Sequence, residues 1–408
     1  MRGNKMLRIG IKQIKFDDVL LFVYFAIMYA HNAPYPRLYT LCTIALFFYS
    51  IVKCATKNGL IFSKTQYNIL GWYLLFAAYE LAVSLINGIF HEEIWYNVIQ
   101  NILMLFSLCC YADSKEKFFK LVKIFAYAAL YFGMVAWLTS PVSTYGTTSF
   151  AGITMSQRNT IAYVVGIGST IFAYFGLQER KKKYFIYAIL CIIVTVLTGS
   201  RKGIIQLLIP VVVYVLLQEG GRKRIKALTA IFFIGLVVVY ICANSPIFMD
   251  TYGERFFQMF EEDSEDASTL ARSSLAALGL TFFSQQPIFG YGLGASWFLT
   301  RSVSFSIVNY FHNNYVEMLV AGGIIGFLLY HWKFLRCLFI SWKYHKYNYF
   351  AKLMISLLLI YFVLAIGQVT VYYATFYIVF FIILKGQEFM TYTEGDEIGQ
   401  VKSEDRMD

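Results

Sequence analysis

Apolar stretches recur from Val19 to Leu384, and short charged clusters separate them. A helix rises 1.5 Å per residue, so roughly 17–25 apolar residues match a hydrocarbon core about 30 Å thick. Inside that core each backbone N–H and C=O must be paired within the protein, which a helix does by itself. The pattern predicts spans over 17–33, 38–53, 67–87, 94–112, 121–139, 160–177, 184–199, 203–218, 227–244, 313–332, 353–369 and 371–385. The chain therefore reads as an all-α polytopic integral membrane protein with about 12 transmembrane helices.

Composition agrees. Of 408 residues 58% are apolar and only 14% charged, whereas a soluble domain carries about a quarter charged residues. The formal net charge of +11 raises the question of a nucleic-acid partner. The basic residues are spread over many short loops and form no single patch, so no such partner is expected. With the N-terminus in the cytoplasm, all but seven of the 35 Lys and Arg residues fall on the cytoplasmic side, as the positive-inside rule requires. The seven are Arg37, Arg158, Arg201, Lys202, Arg255, Arg272 and Arg301. Both termini are then cytoplasmic. The basic N-terminus, MRGNKMLRIGIKQIK, precedes an apolar run with no small-residue cleavage site, which reads as an uncleaved first helix. The seven cysteines lie in or beside apolar runs and show neither metal spacing nor a disulfide framework.

Four regions follow. Residues 1–243 hold the first nine spans, 244–312 one large extracytoplasmic loop, 313–385 the last three spans, and 386–408 a short cytoplasmic tail expected to be disordered. A connection as long as 244–312 is usually functional or disordered. Its acidic run EEDSED (261–266) reads as a solvated turn. The next stretch, STLARSSLAALGLTFF (268–283), reads as a short amphipathic helix capped by Ser268, with Arg272 in its first turn. Leu275, Leu278, Phe282 and Phe283 would share one face, lying along the membrane surface or closing over a cavity.

Several residues on the outer side invite a functional reading. TGSRKG (198–203) joins two spans with almost no loop and holds Arg201 and Lys202 at the membrane face. They either snorkel there or bind an anion, Arg201 offering a planar fork to phosphate oxygens. Gly199 and Gly203 would let backbone approach such a group. Arg158 and Asn159 open the sixth span. GYGLG (290–294) lacks the spacing and context of a dinucleotide or phosphate loop and reads as a tight turn, with Gly290, Gly292 and Gly294 able to bring backbone close to a sugar or phosphate. His312 and Asn313 end the large loop, and His312 is either an interfacial residue or a working group. Glu317 lies about one turn inside the following span, where a carboxylate needs a partner; an outer arginine is the expected one. Gly322, Gly323 and Gly326 form a small-residue packing face.

Taken in order, TGSRKG, ARSSLAALGLTFFSQQPIFGYGLG (271–294) and HNNYVEMLVAGGIIG (312–326) resemble the bacterial O-antigen ligase/polymerase superfamily. MSQRNTIA (155–162) resembles the asparagine-bearing entry to an earlier span of that family, although here Arg158 precedes Asn159. The resemblance implies a bacterial cytoplasmic-membrane glycosyltransferase with an extracytoplasmic active site. The donor would be a saccharide on undecaprenyl diphosphate, the acceptor a sugar hydroxyl, and the transfer inverting, with no metal or other cofactor. Arg201 and Arg272 would hold the diphosphate and His312 would orient or deprotonate the acceptor. Lys202, Arg158, Asn159, Gly290, Gly292, Gly294, Asn313 and Glu317 would line the substrate site. Membrane lipids, a chain-length regulator and a flippase are the implied partners. Within the family, the Lys, Tyr, Phe and Ile bias suggests an AT-rich, Gram-positive source, where capsular or exopolysaccharide repeat-unit polymerisation is the common use. A ligase is the alternative. A lipid-linked oligosaccharide flippase or transporter would instead gather its charges at the bilayer midplane.

Overall fold

The computed structural model describes residues 15–29, 36–56, 62–139, 149–150, 153–154, 158–198, 200–218, 267–303 and 310–390, with isolated positions between 221 and 244. The expected span 227–244 lies largely outside these residues. So do the acidic run, most of the 140–157 loop, the tail after 390, Gly199 and the side chains of Arg37 and Arg158.

The first eight helices are α1 (Phe16–Tyr29), α2 (Pro36–Thr56), α3 (Lys64–Ile86), α4 (Glu92–Tyr111), α5 (Lys115–Thr139), α6 (Arg158–Glu179), α7 (Lys182–Leu197) and α8 (Arg201–Leu216). They are followed by α9 (Ala267–Gln285), α10 (Ala295–Val303), α11 (Asn314–Tyr344), α12 (Tyr349–Ala365) and α13 (Ala374–Gly386). The described strands are a two-residue hairpin, Ser149–Phe150 against Ile153–Thr154. Among the described residues, six helical segments are long and apolar enough to cross a membrane: Leu38–Thr56, Lys64–Ile86, Glu92–Tyr111, Lys115–Leu138, Asn159–Glu179 and Asn314–Tyr344.

Local signals set the helix ends. Ser63 and Gln66 form a reciprocal capping box at the start of α3, and Asn348 caps α12 through the Phe350 N–H. Helix α13 is apolar on every face, and each residue from Thr375 to Gly386 is buried, as expected of a helix at a bundle centre. Aromatic rings interlock around it, with Phe334 to Phe380 at 4.3 Å and Tyr73 to Tyr377 at 4.8 Å. The Tyr377 hydroxyl donates to the Val371 carbonyl at 2.9 Å, so its polar end is paired inside the protein.

The two ends of the bundle differ. One end carries the ion pairs Asp17–Lys53, Asp18–Lys120, Lys123–Glu179 and Lys385–Glu388. The other gathers the N-termini of α4, α6, α8, α11 and α13, together with α9 and α10.

Helix α11 is interrupted. Gly323 has φ 59° and ψ −162°, a region that only glycine occupies readily. The 287–292 turn docks on the break. Tyr291 N–H donates to Val320 O at 2.9 Å and Gly292 N–H to Ala321 O at 2.7 Å, while Ile324 N–H donates to Pro287 O at 2.9 Å. The turn thus pairs the backbone groups that the break leaves over, as an apolar surrounding demands. The glycine triplet packs as expected, since Gly322 and Gly326 lie on Glu80 and Tyr79. The break at Gly323 adds a second role.

Candidate functional site

Ser200 organises the basic turn. Its hydroxyl caps α8 by accepting the Gly203 N–H at 3.4 Å and donates to Asn159 Oδ1 at 2.7 Å. The turn is thereby tied to the start of α6. Arg201 and Lys202 occupy the first turn of α8, where the helix dipole already favours an anion. The Lys202 ammonium donates to the Gly367 carbonyl in the α12–α13 connection. Gly203 packs against Ala162 and Thr195, so that glycine is spent on helix packing and not on a phosphate.

His312 sits in the left-handed region at φ 54°, where histidine is more common than most residues. Its ring lies 4.4 Å from that of Tyr310. On either side the chain is pinned. Phe311 is fully buried, and its N–H donates to Glu317 Oε2 at 3.0 Å. Asn313 caps α11, its Oδ1 accepting from Tyr315 N–H at 2.9 Å and Val316 N–H at 3.2 Å. The side-chain Oδ1 of buried Asn314 accepts from Thr370 N–H at 2.8 Å and Val371 N–H at 3.1 Å. One turn of α11 therefore fixes His312 relative to the connection that carries the acceptor for Lys202.

Arg272 comes from α9, in its second turn and not its first, because the helix begins at Ala267. Helix α9 packs on the start of α11, where Phe282 and Phe283 meet Phe311, Val316 and Val320. At Gly279 the helices come so close that a Cβ would lie 2.5 Å from Val316. This packing brings Arg272 to bear on His312. Burial, then the positive charges of Arg272 and Lys202, hold the imidazole at about 4, well below its ordinary 6.5. This favours the neutral imidazole, the form able to accept a proton. Among the described residues, neither Lys202 nor Arg272 enters an ion pair with a carboxylate.

Three expectations need correction. Among the described residues Glu317 has no arginine partner. It is buried and accepts from the Ser296 hydroxyl at 2.5 Å, the Tyr372 hydroxyl and the Phe311 N–H. Neutral donors satisfy the carboxylate, and Glu317 supports the His312 turn instead of facing a substrate. Asn313 is likewise engaged, as the cap of α11. Gly290, Gly292 and Gly294 all have positive φ, but protein occupies the space where their side chains would be. A Cβ would lie 2.4 Å from Ala321 O at Gly290, 2.3 Å from Ser84 Oγ at Gly292 and 3.0 Å from His91 Cβ at Gly294. They serve the docking of this turn on α11, α3 and α4.

Beyond Tyr310 opens a cavity of about 210 Å³, walled by α1, α2, α4, α6, α10 and the 366–376 segment. Its lining was not legible in the sequence, because Gln100, Asn101, Tyr163 and Trp297 sit in unremarkable apolar runs. Glu80 was also passed over. It is fully buried in α3, and among the described residues neither oxygen has a hydrogen-bond partner. The signal was there, since a carboxylate inside an apolar span is a functional candidate by default.

These features define a membrane protein with a half-buried neutral histidine, facing cations, beside a polar cavity. A family model described as O-antigen ligase matches residues 186–331, from α7 to the middle of α11. That match supports a likeness to the O-antigen ligase/polymerase superfamily, whose members are glycosyltransferase-like enzymes acting on lipid-linked glycans. The match includes Arg201, Lys202, Arg272 and His312, while Arg158 and Asn159 lie outside it. No curated protein matches the chain.

Proposed function

We propose that the chain is a polymerase joining undecaprenyl-diphosphate-linked oligosaccharide repeat units into a capsular, exopolysaccharide or O-antigen chain. The observation that carries this is the convergence of Arg272 and Lys202 on a neutral His312. The cations are suited to a diphosphate and the imidazole to a hydroxyl proton. In the proposed step the acceptor hydroxyl oxygen attacks the anomeric carbon of the donor sugar. The bond from that carbon to the diphosphate oxygen breaks with inversion, and the electron pair leaves with undecaprenyl diphosphate. His312 takes the hydroxyl proton. Arg201, Arg272 and Lys202 bind the diphosphate and stabilise its leaving charge, a role requiring fixed donors in a site shielded from water. Asn159 positions the basic turn through Ser200. The site is assigned to the extracytoplasmic face, because most basic loops belong to the opposite end of the bundle.

The family description favours one second reading, a ligase that transfers the finished glycan to another acceptor. Arg201→Ala, Arg272→Ala and His312→Ala, each checked for membrane expression, test the site. Loss of long surface polymer in all three is expected, and normal chain length in all three would overturn the assignment. Deleting the gene separates the two readings. Single repeat units left on the lipid support a polymerase, and long but unattached polymer supports a ligase.

A further inference from the structure

The walls of the cavity beside Tyr310 hold several polar groups that the protein does not use. Gln100 and Asn101 are buried in α4. Each spends its amide N–H on the protein, Gln100 on Thr40 Oγ1 at 2.9 Å and Asn101 on the Tyr73 hydroxyl at 3.3 Å. Their carbonyl oxygens, the Tyr163 hydroxyl and His91 Nδ1 have no hydrogen-bond partner among the described residues. All four residues line the same cavity. Leaving a buried polar atom unpaired is costly, and four such atoms on residues that line one cavity point to a site for a polar ligand.

The lining also says which ligand. The two amide oxygens and the Glu93 carboxylate are acceptors, so the ligand must offer O–H or N–H groups. Among the described residues no Lys or Arg lines the cavity and Glu93 does, so the described lining disfavours an anion. Aromatic faces complete the wall. Trp297 lies 5.1 Å from His91 and 5.8 Å from Tyr310, and Tyr310 lies against His312. The volume of about 210 Å³ is below the roughly 300–1,000 Å³ of sites for drug-sized ligands, which suits a single ring.

We infer that this cavity is a seat for one uncharged sugar ring of the glycan, held by Gln100, Asn101 and Tyr163 and abutting His312 through Tyr310. The inference deepens the proposed function and rests on it for the source of the sugar. It assigns a specificity role to α4 and α6, outside the matched family segment, and it predicts that the sugar seated there is not a uronic acid.

The test is saturation-transfer NMR on the full chain in lipid nanodiscs. The probes are methyl glycosides of the gluco, galacto and manno hexoses, their 2-acetamido forms and the corresponding uronic acids. Transfer to at least one neutral glycoside is expected, with none to the uronic acids. Tyr163→Phe removes one hydroxyl and little else, and should weaken that binding about tenfold, the usual effect of one lost buried hydrogen bond. Asn101→Leu should weaken it at least as much, with thermal unfolding confirming that each variant is folded. Absence of transfer to every neutral glycoside, undiminished binding in folded Tyr163→Phe, or preferential binding of a uronic acid would overturn the inference. Arg272→Ala separates this outcome from failure of the proposed function. Glycoside binding should survive in it while polymer is lost. If polymer also survives, the catalytic reading falls and the seat stands.

Discussion

The carboxylate of Glu317 accepts the backbone N–H of Phe311 at 3.0 Å, across the turn that carries His312. The same carboxylate takes hydroxyl donors from Ser296 in α10 and from Tyr372 in the α12–α13 connection. Three parts of the chain thus meet on one side chain next to the candidate base. Glu317→Ala would leave three buried donors unpaired, each costing about 1–3 kcal/mol. It is expected to lower the unfolding temperature markedly and to abolish long polymer. Glu317→Gln keeps the shape and an acceptor oxygen, and should fold with a smaller loss. Thermal unfolding of the purified protein and polymer length in cells check both. Wild-type polymer from Glu317→Ala would mean that His312 does not depend on this anchor.

As the proposed base, His312 should set the acid side of the rate profile. Its basicity is depressed to about 4 by burial, Arg272 and Lys202. A base with a lowered value stays neutral down to that pH, so kcat/KM should hold through pH 6 and fall only as pH drops through about 4. A bound diphosphate offsets the two cations, so the corresponding limb in kcat should lie at higher pH. Arg272→Lys keeps a positive charge and should preserve the limb in whatever activity remains. Initial rates on lipid-linked repeat units would measure this, and an acid limb near 6.5 in kcat/KM would contradict the electrostatic account.

The left-handed backbone at His312 predicts a trade between stability and activity. A side chain in that region costs about 1–2 kcal/mol relative to glycine. His312→Gly and His312→Ala should both lose polymer synthesis. The glycine variant should be the more stable of the two by about 1 kcal/mol in denaturant unfolding.

The break in α11 should tolerate no side chain. A Cβ at Gly323 would lie 2.2 Å from the Ile288 carbonyl, and the backbone there has φ 59°. Gly323→Ala is expected to fail to accumulate in membranes or to unfold far below the wild type. Gly71 in α3 has nothing within 4 Å of its Cβ position, so Gly71→Ala should be neutral or stabilising by up to about 1 kcal/mol. Expression and thermal unfolding of the pair distinguish a conformational demand from a general intolerance of α-carbon branching.

The sequence by itself determined the helices and where several of them start. Apolar runs reveal spans because a backbone in lipid must pair its own polar groups, and that requirement is local. Helices lie over every expected interval that is described, from α1 to α13. Arg201 and Lys202 could likewise be read as opening a helix, and His312 as preceding one, because caps and chain reversals are set within a few residues. Tertiary structure decided what those residues meet. Nothing in the sequence brings Arg272 to His312, forty positions away, and only the packing of Gly279 against Val316 and Phe311 does so. The expected arginine for Glu317 gave way to Ser296, Tyr372 and a backbone N–H, because hydrogen bonds from neutral groups satisfy a buried carboxylate without burying a second charge. The glycines of GYGLG turned out to fit protein surfaces. The cavity draws its lining from seven parts of the chain, and each of those residues is ordinary until folding brings it beside the others.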